Sequence, residues 1–288
     1  MAATPPASPP LAQLTGFLLR RAYVKSAACA RACISDDDTP IREVAILSIL
    51  AGHGSLSQRS LADLTHVNQT TIVKLVDSLE RKGWARRERN RDDRRSYALR
   101  LTKAGERALA EFEHDLDRGE QALTGSLTDR QRSRLQKRLR ELLDGEDSVA
   151  IGSLADRTGF LVAQAHRRVR SWAIKELEPL GLDPRDFGVL STLGREQPCS
   201  QNHLAHQLGV SPPAALMFVE GLGESGLVSK ERNADDRRFY DLTLTAEGKR
   251  SLAAAARSAE VVQAKIVALL GERGDAELRR LLTNVIAP

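Results

Sequence analysis

Residues 68–101 read NQTTIVKLVDSLERKGWARRERNRDDRRSYALRL, and this stretch decides the fold. Its first half predicts a helix, which Asn68 caps at the start and Gly83 ends. The residues that fall on the inner face at helical spacing are Ile72, Leu75, Val76 and Leu79. The residues left on the outward face are polar, namely Thr70, Thr71, Lys74, Asp77 and Ser78.

The second half of the stretch predicts a basic β-hairpin. Residues 86–95 read RRERNRDDRR, and Tyr97, Leu99 and Leu101 follow with the period-two alternation of a strand. A helix with a polar outward face can enter a major groove, while the hairpin beside it reaches flanking phosphates or the minor groove. The stretch therefore predicts binding to double-stranded DNA.

The same stretch occurs twice in the chain, at a constant offset of 143 residues (92 + 143 = 235). Residues 92–95 (DDRR) recur at 235–238, and residues 15–18 (TGFL) recur at 158–161. The same offset relates Gln58 to Gln201, Gly83 to Gly226 and Gly105 to Gly248. Because the register holds without a gap, the chain consists of two copies of one domain. A solenoid needs about three or more repeats, so two copies favour a pseudo-symmetric pair.

The length of 288 residues suits two domains of ordinary size, each able to bury its own core. We place copy 1 at residues 11–145 and copy 2 at residues 146–288. Residues 1–10 are rich in alanine and proline, which predicts a disordered arm. The linker at 145–148 (GEDS) is too short to let the copies move apart, so we expect them to pack closely.

Charge and cysteine content limit the class of protein further. A net charge of +5 and a pI of about 9.3 permit nucleic-acid binding without requiring it. We expect no membrane segment, because no apolar run approaches the roughly 20 residues that span a bilayer. Residues 1–10 lack the features of a signal peptide. The odd number of cysteines, three, predicts reduced thiols and a cytoplasmic location.

The segments around the quoted stretch predict helices in the same order in each copy. Long helices at about residues 11–34 and 151–180 open the copies, and further helices at 129–143 and near Asp275 close them. The residues that mark helix starts are Pro40, Ser57, Thr102, Thr128, Asp183, Ser200, Ser211 and Thr245. A short helix precedes the helix at residue 68, so the motif is a winged helix-turn-helix. The long helices have no partner within it, and we expect them to pair across the copies.

This order of elements resembles the MarR family of winged-helix transcription regulators. The wing is the most specific part of the resemblance: it runs from Arg89 to Gly105 and recurs from Arg232 to Gly248. Proteins of this family are normally homodimers, and this chain resembles such a dimer fused end to end. The resemblance implies a mostly α fold with small β wings. In it, two winged helix-turn-helix domains form a single-chain, monomeric pseudo-dimer through their long N- and C-terminal helices.

The resemblance also assigns roles within the wings. In the family, the acid of the wing's Asp-x-Arg holds an arginine that enters the minor groove. It therefore implies that Asp93 orients Arg95 and that Asp236 orients Arg238. Such a charge-assisted pair orders a flexible arginine, and narrow minor grooves attract arginine. The predicted DNA-binding residues are Asn68, Gln69, Thr70, Thr71, Lys74, Arg89, Arg91, Asp93, Arg94, Arg95, Ser211, Arg232, Asp236, Arg237 and Arg238.

The two copies differ in charge where they would meet DNA. Residues 68–95 contain nine basic and five acidic residues, a net +4, whereas residues 211–238 contain four basic and five acidic residues, a net −1. Three outward residues of the first helix are replaced by Pro213, Ala214 and Met217. Phosphate contacts supply most non-specific affinity, and base edges need donors and acceptors. We therefore expect copy 1 to dominate base readout and copy 2 to contribute mainly its wing.

The resemblance further implies a small effector, often aromatic or anionic, that relieves repression. Such a ligand would lie between the pairing helices and a winged domain and favour a separation of the wings that misses successive grooves. The candidate ligand-binding residues are Phe17, Tyr23, Ile49, Phe160, His166 and Trp172.

The cysteines and two histidines have competing interpretations. Cys29 and Cys33 lie one helical turn apart. They could form a redox or metal-binding pair, or they could be small residues of an alanine-rich helix. The helix interpretation is favoured, because no neighbouring base marks an activated thiolate. Cys199 lies near a helix start and is more simply a loop residue. His203 and His206 lack further ligands nearby, so no metal site is predicted.

The sequence contains no phosphate loop, His-Glu-x-x-His motif or nucleophile elbow, so neither an enzyme nor a cofactor is predicted. The predicted function is a sequence-specific, double-stranded DNA-binding transcription regulator that acts as a repressor. The alternative is a ligand- or protein-binding scaffold of the same fold that has lost operator-specific binding, which the acidic copy 2 supports. Non-specific architectural binding fits poorly because the overall charge is low.

Overall fold

The structure is a computed structural model that describes residues 11–34, 40–65, 67–89, 97–143, 154–232 and 240–287. It is mostly helical, with two small antiparallel sheets. Among the described helices, none has an apolar stretch long enough to cross a bilayer. The predicted disordered arm at 1–10 and the linker at 145–148 lie outside the described residues.

The first copy contains six helices and three strands among its described residues. The helices are α1 (Thr15–Cys33), α2 (Ile41–His53), α3 (Gln58–Thr65), α4 (Gln69–Arg81), α5 (Lys103–Thr124) and α6 (Asp129–Leu143). The strands are β1 (Leu56–Ser57), β2 (Ala85–Arg89) and β3 (Tyr97–Leu101), which form an antiparallel sheet in the order β1-β3-β2. A single 3-10 turn, Leu11–Gln13, precedes α1. The predicted helix-turn-helix is thus α3 and α4, and the predicted wing is β2 and β3.

The second copy repeats this order. Its helices are α7 (Thr158–Leu177), α8 (Pro184–Arg195), α9 (Gln201–Leu208), α10 (Pro212–Glu224) and α11 (Ala246–Ile286). Its strands are β4 (Cys199–Ser200), β5 (Val228–Arg232) and β6 (Tyr240–Leu244), in the order β4-β6-β5. The strand pairings keep the offset of the sequence, since Leu56 faces Leu99 in one sheet and Cys199 faces Leu242 in the other.

The opening helix of each copy begins later than the sequence predicts. The first begins at Thr15 rather than residue 11, and α7 begins at Thr158 rather than residue 151. The predicted final helix near Asp275 is confirmed, because α11 consists of two helices that meet at a kink at Gly271, which is non-helical at φ 68° and ψ 160°. Glycine tolerates this positive φ, so the chain can change direction at Gly271 between the two helical segments.

Compact packing groups the chain into two units that do not follow the copies at their ends. The C-unit consists of residues 11–21 and 165–286, and the N-unit consists mainly of residues 22–164. Leu11 and Leu14 pack against the core of the C-unit, although they precede the first copy's winged motif. Leu154 and Phe160 likewise belong to the core of the N-unit. Each unit is therefore completed by a segment from the other copy.

Side-chain caps fix the helix starts as the sequence predicts. The Asn68 side chain accepts a hydrogen bond from the Thr71 N–H at 2.8 Å, which satisfies a donor that the helix leaves unpaired. The other predicted caps with a side-chain acceptor are Ser57, Thr102, Thr128, Asp183, Ser200, Ser211 and Thr245. Pro40 precedes α2 without a side-chain cap.

One glycine in each copy allows the wing to pack closely against the helix that follows it. A side chain at Gly105 would collide with the Trp84 carbonyl, and one at Gly248 would collide with the Leu227 carbonyl. In both copies the base of the wing therefore passes in contact with the first turn of the next helix, which only glycine allows. This contact sets the position of the wing strands relative to the core of each unit.

Candidate nucleic-acid interface

The outward face of α4 is the best candidate for DNA contact in the N-unit. Its inner side chains Ile72, Val76 and Leu79 are fully buried in the core, so they fix the rotation of the helix. That rotation exposes Gln69, Thr70 and Lys74, with Thr71 half-buried at the cap. Val73, 40% exposed, adds an apolar side chain to the same surface. The polar side chains of this face can form hydrogen bonds with base edges and phosphates.

Ion pairs that the sequence analysis missed join α4 to the wing. Arg87 on β2 lies 2.6 Å from the Asp77 carboxylate and also pairs with Glu80, which in turn accepts the Arg87 backbone N–H at 2.9 Å. Asp77 and Glu80 lie three residues apart, nearly one turn of α4. Two acids at that spacing beside an arginine-rich strand were the signal that could have predicted this contact. Strand β2 of the wing and helix α4 are thus held together.

A second set of contacts fixes the end of α4. Lys82 lies 3.0 Å from the Glu43 carboxylate, which is 3% exposed, and its ammonium lies 4.7 Å from the centre of the Trp84 ring. Trp84 makes an edge-on contact with Phe112 at 5.7 Å. These contacts anchor the turn between α4 and β2 to the core.

The predicted DNA-binding residues of the wings lie partly within and partly outside the described residues. Arg89 and Arg232 are exposed at the outer ends of β2 and β5, where each wing leaves the core. The predicted residues at the wing tips lie outside the described residues, namely Arg91, Asp93, Arg94, Arg95, Asp236, Arg237 and Arg238. The two predicted Asp-x-Arg pairs therefore stay predictions.

The C-unit offers a different surface at the same place. Helix α10 begins with the Ser211 cap and Pro212, and its exposed residues include Pro213 and Met217, which is 69% exposed. Glu220 and Glu224 are exposed further along the helix. This surface has few hydrogen-bond donors and carries acidic charge, which suits neither base edges nor phosphates.

The wing of the C-unit also lacks the ion pairs of the N-unit. Lys230 occupies the position of Arg87, and Gly223 occupies that of Glu80. The Lys230 ammonium instead lies 4.3 Å from the centre of the Tyr240 ring on the neighbouring strand. Helix α10 and its wing are therefore not joined in the way that joins α4 to β2.

A cavity of about 210 Å³ lies within the C-unit. Its apolar walls come from the start of the chain and from α7, α8 and α11, and the side chains that form them include Phe17, Val169, Phe187, Val262 and Ile266. Its polar lining consists of Arg20, His166, Arg170, Arg185, Ser258 and Gln263. Apolar walls with a few polar groups are typical of a site for a small organic molecule.

Positive charge surrounds His166 in this cavity. Burial, followed by the charges of the neighbouring Arg170, Arg20 and Arg167 guanidinium groups, lowers the pKa of His166 to about 4. The imidazole is therefore neutral near pH 7. The side chain of Arg20 donates to the Leu208 carbonyl at 2.6 Å, and burial, followed by the charge of Arg21, lowers its pKa from the ordinary arginine value.

Arg185 contributes less net charge to the cavity than its type suggests. Its Nε lies 2.8 Å from the Asp183 carboxylate, and hydrogen bonding to that carboxylate raises the pKa of Arg185. Its guanidinium also lies 5.5 Å from the centre of the Phe218 ring. Because Asp183 compensates Arg185, the uncompensated positive charge comes from Arg20 and Arg170.

Only two of the six predicted ligand-binding residues, Phe17 and His166, line this cavity. Ile49 is 1% exposed in the core of the N-unit, and Phe160 packs against that core. Tyr23 is not among the lining residues, and the Trp172 ring is covered by the Arg168 guanidinium at 5.1 Å. The sequence analysis missed Arg20, Arg170 and Arg185. A ligand role for any of these residues stays a prediction.

The cysteines show little sign of an activated thiol. Cys199 is 4% exposed, and burial, with a smaller effect of Glu196, raises its pKa to about 11. Cys29 and Cys33 are half-buried on α1. His203 pairs with Glu196 at 2.5 Å on the surface, and the described residues contain no cluster of three or more metal-ligating side chains.

Comparison with known proteins identifies the family. The MarR family profile matches residues 40–97, and a second MarR family profile matches residues 180–238. A putative transcriptional regulatory protein for the hcr operon of Thauera aromatica is 34% identical over 128 residues, which are 44% of this chain and 77% of that protein. The transcriptional repressor NicR of Pseudomonas putida is 27% identical over 152 residues, 50% of this chain and 96% of NicR.

A solved structure is also similar to part of this chain. A MarR-family transcriptional regulator from Rhodococcus sp. RHA1 is 25% identical, with a TM-score of 0.44, over 47% of this chain and 96% of that one. The two profile matches and the Thauera relative show that this chain belongs to the MarR family and contains two MarR domains in tandem.

Proposed function

We propose that the chain is a sequence-specific regulator that represses transcription by binding double-stranded DNA mainly through the N-unit. The observation that supports this most directly is the exposed polar face of α4, fixed by its buried side and joined to a basic wing through Arg87. The Thauera relative is named a transcriptional regulatory protein and the Pseudomonas relative a repressor, which supports the same role.

In this proposal α4 enters a major groove and presents Gln69, Thr70 and Lys74 to the bases and nearby phosphates. The Asn68 and Thr71 end of the helix lies closest to the groove floor, since recognition helices contact bases near their N-termini. The Arg87 ion pairs hold the wing at a fixed angle to the helix. The exposed Arg89 and the wing-tip arginines then reach the flanking backbone or minor groove.

The C-unit contributes less to base readout in this proposal. Its α10 exposes Met217 and Pro213, so Ser211, Arg232 and the second wing supply its remaining DNA contacts. The chain acts as a monomer, because both winged units are present in one polypeptide. It acts in the cytoplasm, where it meets the chromosome, and a small aromatic or anionic effector relieves repression.

A second candidate function is a scaffold that binds a ligand or a protein and has lost operator specificity. The apolar and acidic exposed face of α10 favours it for the C-unit alone. The outward face of α4 argues against it for the N-unit, because a scaffold has no need of a basic wing fixed to a polar helix.

Selection of bound DNA from a random duplex pool, followed by affinity measurement at several salt concentrations, tests the proposal. We expect a defined motif, affinity for it well above that for random duplex, and a steep fall with salt. One strong half-site and one weaker half-site should emerge, because the units differ. Equal affinity for the selected and the random duplex would support the scaffold and contradict the proposed function.

A further inference from the structure

The C-unit cavity can be compared with the same place in the N-unit, because both copies keep one offset of 143 residues in sequence and in strand pairing. One hydrogen bond also recurs at equivalent positions of the two units. Glu120 Oε1 accepts the Thr158 N–H at 2.7 Å in the N-unit, and Gln263 Oε1 accepts the Thr15 N–H at 3.3 Å in the C-unit. Equivalent positions therefore hold equivalent places in the two units.

The residues that make the C-unit cavity positive have no basic counterpart in the N-unit. Arg20 corresponds to Ala163, Arg170 to Ala27, and His166 to Tyr23. Of the basic lining residues only Arg185 is matched, by Arg42, and Arg185 is itself compensated by Asp183.

Carboxylates take the place of neutral lining residues in the N-unit. Ser258 corresponds to Asp115 and Gln263 to Glu120. Asp115 is 6% exposed and lies 2.6 Å from the Arg118 guanidinium. In the N-unit a bound anion would face the carboxylate of Glu120 and would have to replace Asp115 as the partner of Arg118, whereas the lining residues of the C-unit cavity include no acid.

The C-unit cavity combines these charges with apolar walls. Within the described part of the chain, Arg170 is exposed at the cavity and forms no hydrogen bond or ion pair, so its guanidinium can pair with a ligand carboxylate. Phe17 and Phe187 offer surfaces against which a flat apolar group can pack. The chemistry that fits is a carboxylate attached to an aromatic or similarly flat apolar body.

We propose that the two copies have divided the work of the regulator: one flat apolar carboxylate binds per chain, in the C-unit cavity, and the N-unit reads the operator without an anion site of its own. The proposal rests on the proposed function for the N-unit role only. Two identical subunits related by symmetry would present two equal sites. The number of ligands per chain is therefore a direct measurement of the division.

The probe is 2-naphthoate, with uncharged 2-naphthamide as its matched control, titrated into the full chain by calorimetry in the absence of DNA. We expect one naphthoate per chain and at least about tenfold weaker binding of the amide, since the amide cannot form the charged pair. Two equal sites, equal affinity for the amide, or no naphthoate binding would each overturn the proposal.

Variants identify the site. Arg170→Ala installs the residue type of the N-unit at an exposed position, so the fold is retained, and it should weaken naphthoate binding at least about tenfold. Arg195→Ala removes the same charge from an exposed position of α8 that does not line the cavity, and it should leave the affinity within about twofold. Equal effects of the two variants would place the ligand elsewhere and contradict the proposal.

The DNA measurements are kept separate so that the two proposals can fail independently. A chain that binds one naphthoate but shows no operator preference would contradict the proposed function and leave the cavity assignment intact. A chain that binds its operator but takes two naphthoates, or none, would contradict the division of work alone. Arg170→Ala should retain the ligand-free operator affinity, because Arg170 lies on α7 and not on a winged motif.

Discussion

Helices α4 and α10 occupy the same place in their units and differ almost entirely in what they expose. Both begin at a side-chain cap, both bury an apolar face, and both are followed by a glycine with positive φ, Gly83 and Gly226. On the outside, Lys74 is matched by Met217, which is 69% exposed. Buried and backbone-restricted positions tolerate few changes, whereas exposed positions tolerate many. The repeated scaffold therefore permits the two surfaces to serve different partners.

The largest expected difference between the units is in operator affinity. The double variant Thr71→Ala/Lys74→Ala should weaken operator binding about 30-fold, that is about 2 kcal/mol, because in the proposed binding mode these side chains contact a base edge and a phosphate. Met217→Ala at the matching place in the C-unit should change the affinity less than about twofold. Fluorescence anisotropy with the selected operator measures both, and similar losses from the two changes would refute the asymmetry.

The cavity of the C-unit should make that unit sensitive to acid. The pKa of His166 is lowered to about 4 in the folded chain from 6.5, so between these pH values the unfolded chain holds more protons than the folded one. The free energy of unfolding should therefore fall as the pH falls from about 6.5 to about 4, by about 2 kcal/mol at pH 5. Above pH 6.5 His166 should contribute no pH dependence.

Denaturation followed by Trp172 fluorescence in a Trp84→Phe background measures this effect. His166→Gln should remove most of the loss on the acid side, because glutamine does not titrate. His206→Gln changes an exposed histidine and should leave the acid profile as it was. The N-unit has Tyr23 at the matching position, so its own unfolding should lack this contribution. An unchanged acid profile in His166→Gln would show that other groups cause the loss.

A smaller difference should come from the ion pairs that join α4 to the wing. Neutralising Asp77 and Glu80 as Asp77→Asn/Glu80→Gln removes two negative charges near DNA, which alone would strengthen binding. We expect instead a roughly fivefold weakening, because Arg87 then no longer holds the wing and ordering it costs free energy on binding.

Glu220→Gln, at the position of the C-unit that matches Asp77, tests whether the effect belongs to the N-unit. Since Lys230 lies over the Tyr240 ring and Gly223 stands where the N-unit has Glu80, no comparable connection is lost. Operator affinity should stay the same or rise slightly. Stronger binding by the Asp77→Asn/Glu80→Gln variant would mean that the ion pairs do not position the wing.

Features that depend on local spacing could be predicted from the sequence. The helix-turn-helix, the wing strands, the caps such as Asn68 and Thr102, and the duplication all depend on residues a few positions apart or on a fixed offset. The exposed set on α4 follows in the same way, because the spacing of Ile72, Val76 and Leu79 fixes which face is buried. The MarR family resemblance rested on this same order of elements.

Features that depend on packing between distant segments could not. The sequence shows that Ile49 and Phe160 are apolar. Only the folded N-unit shows that both belong to its core. The sequence does not distinguish Arg87 from the other arginines of the wing, whereas the structure shows its ion pairs with the acidic side chains of α4. Local periodicity gives the face of an element and leaves its neighbour undetermined.

The sequence by itself determined that the chain is a duplicated winged helix-turn-helix whose first copy is the more basic, because period, capping and charge are properties of neighbouring residues. Only the tertiary structure decided that residues 11–21 complete the C-unit. That packing brings Phe17 and Arg20 to the same cavity as His166, about half the chain away. Which distant segments meet depends on how whole faces fit together, and this property has no local signature in the sequence.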